Sequence, residues 1–249
     1  MILSVRGDLM GSAVMHLCIG KKIAKKMNNS DRKEFLIGNL APDLSKITNQ
    51  SKYISHFLKK ILINDSEREV PDLDKFIKKY KDRLNEPFIQ GYLCHLISDD
   101  IWFRDYIPNH VISITEDKKQ ILLRDVDDYI PYDDFKKMMY DDYSKTNQYL
   151  FDLYKLNLKR FDNMDIDDPK MKEFQFDEIH KLIEQISYYL QYEESSSPKD
   201  EEVEFDDNPM DDYDEEGLNL LSETEIVTYI EEAIKKVTDE YIKLELINE

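Results

Sequence analysis

One segment near the middle of the chain is apolar on almost every side of a helix, yet it contains a histidine and an aspartate. It reads FIQGYLCHLISDDIWF over residues 88–103, with Asn85 as a cap and Pro87 in the first turn, a pattern typical of a helix start. A helix that is apolar all round belongs in a protein interior, so His95 and Asp99 are predicted to be buried. An unpaired aspartate there would be costly, and a metal ion is one way to offset that cost.

Most of the remaining chain has apolar residues at the three- and four-residue spacing of amphipathic helices. Six glycines and eight prolines are few for 249 residues, which disfavours a turn-rich all-β fold. The sequence predicts an all-α class, a multi-helix bundle with a metal site between its helices. Residues 110–123 fit a loop or a short hairpin equally well. The predicted helices cover residues 9–27, 31–39 (Asp31 as N-cap), 53–61, 72–80, 85–103, 132–160, 174–192 and 226–241.

Charge and glycine usage add two local expectations. Residues 193–216 hold thirteen Asp or Glu and one Lys, which indicates a solvated insertion or, alternatively, an acidic surface for a basic protein partner or a nucleic-acid mimic. Gly91 costs helix stability, so its presence indicates close packing against a neighbour.

We divide the chain into a helical metal-binding core over 1–192, an acidic flexible insertion over 193–218, and a C-terminal helix packed on the core over 219–249. A capping box of Ser222 and Glu225 begins that last helix.

The composition also excludes several classes of function. A net charge of −19 repels phosphate backbones, so long nucleic acid is not an expected ligand. No apolar run approaches the roughly 18–20 residues that span a bilayer. The amino-terminal stretch does not resemble a signal peptide, and Cys18 and Cys94 lie in apolar surroundings that favour buried thiols over a disulfide. These features predict a cytoplasmic protein.

Five residues carry the metal prediction, and they occur in the fragments VMH, LAPD, SHF and GYLCHLISDD. Carboxylate oxygen and neutral imidazole suit zinc and related ions, and two of the five, four apart on one helix, project from the same face. Each residue alone has an ordinary alternative: a hydrogen-bonded core histidine, a His–carboxylate pair, or, after Pro42, a helix cap. His110 and His180 are interpreted as surface or capping histidines. The five candidate ligands are His16, Asp43, His56, His95 and Asp99.

The order of these fragments resembles the zinc-dependent phospholipase C family, which includes secreted bacterial phospholipases C and shares its fold with fungal single-strand nucleases. The similarity covers roughly residues 10–105 and lies in the motifs MH, FLIGNLAPDL, SHF and GYLCHLISDDIW. A weaker similarity extends over residues 140–154. It implies one metal on Asp43, His56, His95 and Asp99, with Asp99 bridging to a second metal that takes His16. It also implies zinc as the cofactor, in one or two ions.

The same resemblance implies the roles of individual residues. Asp43 and Asp99 are the implied catalytic carboxylates, with Asp43 also a candidate general base. Tyr53, three residues before a ligand histidine, matches a substrate-contacting position. The chain departs from the family in three ways. Its only tryptophan, Trp102, is not amino-terminal; Leu44 stands where the family has tyrosine; and the third-metal motif is replaced by scattered candidates, namely Asp105, His110, Asp141 and Asp142.

The function predicted from these observations is a metal-dependent phosphoric-ester hydrolase of the phospholipase C-like type, in which metal-activated water attacks a phosphodiester. The expected substrate is a small or zwitterionic phosphoester. The alternative is a non-catalytic family member whose metal is structural and whose acidic segment, residues 193–216, binds a basic protein. A phosphohydrolase of the HD type is disfavoured because the chain has no adjacent His-Asp pair.

Overall fold

A computed structural model describes most of the chain outside its acidic segment. The described residues are 3–25, 27, 31–48, 50–64, 66–115, 119–124, 128–156, 166–184, 218 and 220–247, with side chains from residue 13 onward except at 31. Residues 193–217 of the predicted insertion and the second half of the predicted helix 174–192 lie outside this set. The Asp31 cap lies outside the described side chains. The division of the chain into three domains therefore stays a prediction.

The described part of the chain is mainly helical, as predicted, but it also contains two small antiparallel sheets that an all-α class does not include. The helices are α1 Leu3–Ala24, α2 Asp31–Leu40, α3 Lys52–Ser55, α4 Leu73–Tyr80, α5 Pro87–Ile101, α6 Ile107–His110, α7 Tyr132–Leu153 and α8 Glu223–Lys243. Short 3-10 turns cover Ala41–Lys46, Lys81–Arg83 and Phe176–Glu178, and a π turn covers Trp102–Tyr106. The strands are β1 Leu58–Ile63, β2 Ser66–Pro71, β3 Val111–Ile114, β4 Gln120–Leu123 and β5 Tyr129–Pro131.

The predicted helix over 53–61 is wrong, because α3 ends at Ser55 and the chain then enters a β-hairpin. Phe57 has a φ of 53°, a left-handed conformation that a helix cannot accommodate. After it, β1 pairs antiparallel with β2, from Leu58 opposite Pro71 to Ile63 opposite Ser66. The four-residue apolar spacing suited a helix, but cross-strand pairing decided the outcome, as tertiary context often does.

The sequence left residues 110–123 between a loop and a hairpin, and the described residues of this range include two strands, Val111–Ile114 and Gln120–Leu123. β3, β4 and β5 make an antiparallel meander in that order, with an irregularity in the register between Val111 and Ser113. The meander lies against the first hairpin, where Arg68 Nη2 donates to the Val111 carbonyl at 3.1 Å. Both sheets sit beside the helices and leave α5 in the interior.

α5 is the central helix, and α2 crosses it at very short range. Nearly every residue of α5 is buried, and it contacts α1, α2 and α8. A Cβ on Gly91 would lie 1.9 Å from the Phe35 carbonyl oxygen, and one on Gly38 would lie 2.1 Å from the Phe88 carbonyl oxygen. The close packing predicted from Gly91 is therefore confirmed, and it brings the end of α2 against the middle of α5. The cap of α5 is Glu86 rather than Asn85.

α8 packs on this core as its apolar spacing predicted. Ser222 and Glu225 form the capping box, and Asp142 of α7 accepts the backbone N–H groups of Leu220 and Leu221 at 2.7 and 3.1 Å. Cys18 and Cys94 are buried and unpaired. None of the helices in the described ranges is both long and apolar enough to cross a membrane. The buried face of α8 consists of Ile226, Tyr229, Ile230, Ala233, Val237 and Tyr241.

Candidate metal centre

The five candidate ligands come from four separate places in the chain and meet in one buried cluster. His16 lies in α1, Asp43 in the 3-10 turn that follows α2, His56 directly after α3, and His95 and Asp99 in α5. Pro42 begins the turn that carries Asp43, and the left-handed Phe57 reverses the chain after His56. Each of the five is at least nine-tenths buried.

Three of these side chains, those of His56, His95 and Asp99, are spaced like the ligands of one ion, and Asp43 lies beside the two imidazoles. The two Nε2 atoms of His56 and His95 are 3.3 Å apart, and each lies 3.6 Å from Asp99 Oδ2. Asp43 Oδ1 is 3.5 Å from His56 Nε2 and 4.0 Å from His95 Nε2. Ligand atoms at about 2.1 Å from a tetrahedral ion are roughly 3.4 Å from one another. The cluster thus has the size of a first coordination shell.

Hydrogen bonds on the far side of each ring fix which nitrogen carries the proton. His95 Nδ1 lies 2.9 Å from the Asn39 carbonyl oxygen, which can only accept, so Nδ1 bears the hydrogen and Nε2 keeps its lone pair. The Asn39 side chain in turn donates from Nδ2 to the His16 carbonyl at 2.5 Å. The last turn of α2 therefore orients His95 and ties α1 to the same place.

A serine hydroxyl does the same for His56. Ser55 Oγ lies 2.8 Å from His56 Nδ1 and donates its own hydrogen to the Lys52 carbonyl at 3.5 Å. The 2.8 Å contact fixes the orientation of the His56 ring, so that Nε2 faces the cluster. The Ser55 carbonyl accepts a hydrogen bond from the hydroxyl of Tyr92 on α5, so the turn is held against the central helix.

His16 follows the same rule through Ser98. The Ser98 hydroxyl donates to the His95 carbonyl at 2.8 Å and lies 3.0 Å from His16 Nδ1, from which it accepts. His16 Nε2 is left with a lone pair 3.4 Å from Asp99 Oδ1. The His16 ring stacks on His95 with centroids 3.8 Å apart. Asp99 thus presents Oδ1 to His16 and Oδ2 to the other two imidazoles.

Three imidazole Nε2 atoms and two carboxylates consequently face one another in a buried space. Such an arrangement repels itself unless a cation lies among its members, and carboxylates with neutral imidazoles are the donors of borderline divalent ions. Two overlapping groups have all their ligand atoms within 4.8 Å of one another: His16, Asp43 and His95, and His56, His95 and Asp99. These buried His and Asp groups could therefore hold a metal ion.

The protonation states of the cluster suit metal binding. Burial lowers the pKa of His56 to about 4, and burial together with His95 lowers the pKa of His16. Neutral imidazoles and ionised carboxylates are the states that bind metals.

Asp43 has a cationic partner that its sequence neighbours did not suggest. Lys46 Nζ lies 2.9 Å from Asp43 Oδ2. Burial opposes ionisation of Asp43, yet Lys46 and His56 more than compensate and hold its pKa well below the usual value. Asp43 likewise outweighs the burial of Lys46 and raises the pKa of its ammonium. Because Lys46 holds Oδ2, Oδ1 is the oxygen that faces the imidazoles.

A pocket of about 450 Å³, counting its open mouth, leads to one side of the cluster. Three of the candidate ligands form part of its wall, whereas His56 and His95 do not. The π turn that ends α5 contributes two aromatic side chains to the wall, and such turns are frequent at functional sites. The lining residues are Met15, His16, Asp43, Lys46, Lys52, Asp99, Trp102, Phe103, Met139, Tyr140, Tyr143 and Tyr229.

The structure does not bring the other predicted residues to this centre. The Tyr53 side chain is 43% exposed and donates to Glu69, and it is not part of the pocket wall. His110 lies 3.2 Å from Glu225, and His180 is exposed. Of the carboxylates considered for a third metal, Asp141 pairs with Lys145, Asp105 is exposed, and Asp142 anchors the start of α8 through backbone N–H groups.

Four residues of the site were missed from the sequence: Asn39, Lys46, Ser55 and Ser98. Three had a usable signal, because Ser55 precedes a candidate ligand, Ser98 precedes Asp99, and Lys46 follows Asp43 by one turn. Asn39 acts through its backbone carbonyl, for which a sequence carries no signal.

Comparison of this chain with protein-family models, with curated proteins and with solved structures finds no match.

Proposed function

We propose that this chain is a zinc-dependent phosphoric-ester hydrolase of the phospholipase C-like type, acting on a phosphodiester. One ion is assigned to Asp43, His56, His95 and Asp99, and His16 with Asp99 Oδ1 is assigned to a second. The observation that carries the proposal is the convergence of three buried Nε2 atoms and two carboxylates, whose nearest atoms are 3.3–4.0 Å apart. The order of the sequence motifs supports the choice of zinc and of phosphoric esters.

A bound divalent ion of this kind lowers the pKa of a water ligand and neutralises charge on a phosphoryl oxygen. The chain's own residues supply orientation. Ser55, Ser98 and the Asn39 carbonyl fix the three rings, and Lys46 turns one Asp43 oxygen toward them. Such outer contacts raise ligand basicity and hold geometry. The pocket reaches the centre from the side of Asp43 and Asp99, the two carboxylates assigned to catalysis, so a phosphoester enters there.

The second candidate is a structural metal in a non-catalytic interaction protein. The observation in its favour is burial, because the most exposed ligand side chain, Asp99, is only 12% exposed. Closed sites of this kind are typical of structural zinc, whereas catalytic zinc keeps an open position. The pocket on one side of the cluster favours catalysis. This alternative assigns partner binding to the acidic residues 193–216.

Elemental analysis of purified protein, followed by a panel of generic phosphodiesters, tests the proposal. We expect His95→Ala to abolish both zinc content and hydrolysis, because it removes a ligand that no neighbour replaces. His180→Ala is the matched control and leaves both unchanged, since His180 is exposed and belongs neither to the candidate ligand groups nor to the pocket wall.

Protein that stays free of zinc and shows no metal-stimulated hydrolysis contradicts both the metal and the activity. Bound zinc without hydrolysis of any substrate in the panel supports the structural alternative instead. In that case deletion of residues 195–216 should abolish binding of basic partners, while ligand substitutions should lower only thermal stability.

A further inference from the structure

We propose that Lys46 and Lys52 form the anion-binding wall of this pocket, and that the substrate is an anionic phosphoester without a cationic head group. The inference rests on the proposed function and deepens it, because it replaces the zwitterionic substrate expected from the sequence. It makes the two lysines specificity-determining residues.

The first observation is the placement of the two ammonium groups. Lys46 and Lys52 line the pocket together with His16, Asp43 and Asp99, so they share one space with the face of the metal centre that a substrate can reach. The Lys46 side chain is 20% exposed and held by Asp43 Oδ2 at 2.9 Å, which fixes its ammonium beside the centre. An ammonium group has three donors and no acceptor, so it binds oxyanions and repels cations.

The second observation concerns the aromatic wall, which a choline-like group would need. Lys52 Nζ lies over the Phe103 ring, 5.0 Å from its centroid. A ring face attracts a cation at this distance, and a lysine of the chain already holds that position. Trp102, Tyr140, Tyr143 and Tyr229 also line the pocket, but a quaternary ammonium entering it would meet the like charges of Lys46 and Lys52.

The third observation is the charge of the pocket wall. Its ionised groups are two carboxylates, Asp43 and Asp99, and two ammonium groups, Lys46 and Lys52, so the charges of the wall sum to zero. Each divalent ion bound at the centre therefore leaves the pocket with two positive charges that the wall does not neutralise. A phosphoryl group offers the complementary charge, although the chain as a whole has a net charge of −19. Local charge of this kind decides which ligands enter a cleft.

The test uses full-length protein loaded with zinc and inorganic phosphate as the probe, titrated by calorimetry. We expect Lys46→Met and Lys52→Met to weaken phosphate binding roughly tenfold or more, as loss of a charge-assisted hydrogen bond does. Lys46→Arg keeps the charge and should bind phosphate within a fewfold of the parent. Lys60→Met is the matched control, because Lys60 pairs with Glu67 on the first hairpin and is absent from the pocket.

A second arm compares two diesters with the same leaving group, methyl 4-nitrophenyl phosphate and 4-nitrophenyl phosphocholine. We expect kcat/KM to favour the methyl ester, and Lys52→Met to reduce that preference. The inference is overturned if the lysine variants bind phosphate as tightly as the parent, or if the phosphocholine ester is the preferred substrate. If the parent protein still contains zinc in that case, the proposed function is unaffected. If Lys46→Met loses zinc, Lys52→Met and Lys46→Arg decide the matter. Absence of zinc from the parent protein overturns both proposals together.

Discussion

Gly91→Ala is the sharpest test of how the fold builds the metal centre. In an ordinary helix this change is stabilising, by about 1 kcal/mol, because alanine is the better helix former. Here the added Cβ would lie 1.9 Å from the Phe35 carbonyl oxygen and 2.8 Å from the Asn39 amide nitrogen, and both belong to the backbone of α2. Neither atom can rotate away, so α2 must move as a unit.

The size of that movement follows from the same distances. The contact with the Phe35 oxygen must lengthen from 1.9 Å to at least 3.0 Å before it is tolerable. A shift of that size also removes the Asn39 carbonyl from His95 Nδ1, which is now 2.9 Å away. Overpacking costs about 1–3 kcal/mol and a buried hydrogen bond left unmade about 1–3 kcal/mol. After the helix-propensity gain of about 1 kcal/mol, we expect a net loss of about 1–5 kcal/mol.

The assay is denaturant unfolding of metal-free protein together with zinc affinity from chelator competition. We expect zinc affinity to fall about 10- to 100-fold, as loss of an outer contact to a ligand histidine typically does. Gly20→Ala is the comparison, because the atoms nearest its Cβ belong to the side chains of Asn39 and Leu36, which can shift. Its cost should be smaller. A Gly91→Ala protein as stable as the parent, with unchanged zinc affinity, refutes the reasoning.

The remaining predictions concern protonation and the serine contacts. Burial holds the pKa of His56 at about 4 in the folded protein against 6.5 in the unfolded chain, so the unfolded state binds more protons below pH 6.5 and the metal-free protein loses stability as the pH falls. Between pH 7.5 and 5.5, both above the pI of 4.7, we expect a loss of about 1 kcal/mol from His56. His56→Gln should remove that part of the slope, and denaturant unfolding at the two pH values is the measurement. Ser98→Ala should weaken zinc binding about tenfold by freeing the His16 ring, whereas Ser98→Thr should restore it; equal affinity in all three proteins, measured by chelator competition, contradicts the assigned tautomer.

The sequence was most informative where the spacing of apolar residues within a single helix was enough to predict that helix. α5 and α8 were predicted with their buried faces because an apolar residue every three or four positions leaves few alternatives. His16, His95 and Asp99 were conspicuous as polar residues within apolar helices, whereas Asp43 and His56 were assigned from the order of the sequence motifs. Their convergence stayed an expectation, because five residues spread over more than eighty positions meet only if the helices pack in one arrangement.

Predictions from the sequence were wrong where contacts with residues distant in the chain determined the local structure. The stretch after His56 has helical spacing, yet it pairs as β1 with β2, and a left-handed Phe57 forces the change of direction. Tyr53 was placed by motif spacing alone, and the structure directs its hydroxyl to Glu69, away from the pocket. Local preference is weak by comparison with strand pairing and packing, which involve residues distant in sequence.

The sequence by itself thus determined a mainly helical chain and the chemical identity of a candidate set of metal ligands. Only the tertiary structure decided how each of these side chains is oriented toward the others. The Asn39 carbonyl, the Ser55 and Ser98 hydroxyls and the Lys46 ammonium decide which atom of each ligand faces inward. The physical reason is that a ligand needs a lone pair aimed at the ion, and that aim comes from hydrogen bonds made by the opposite side of the same group.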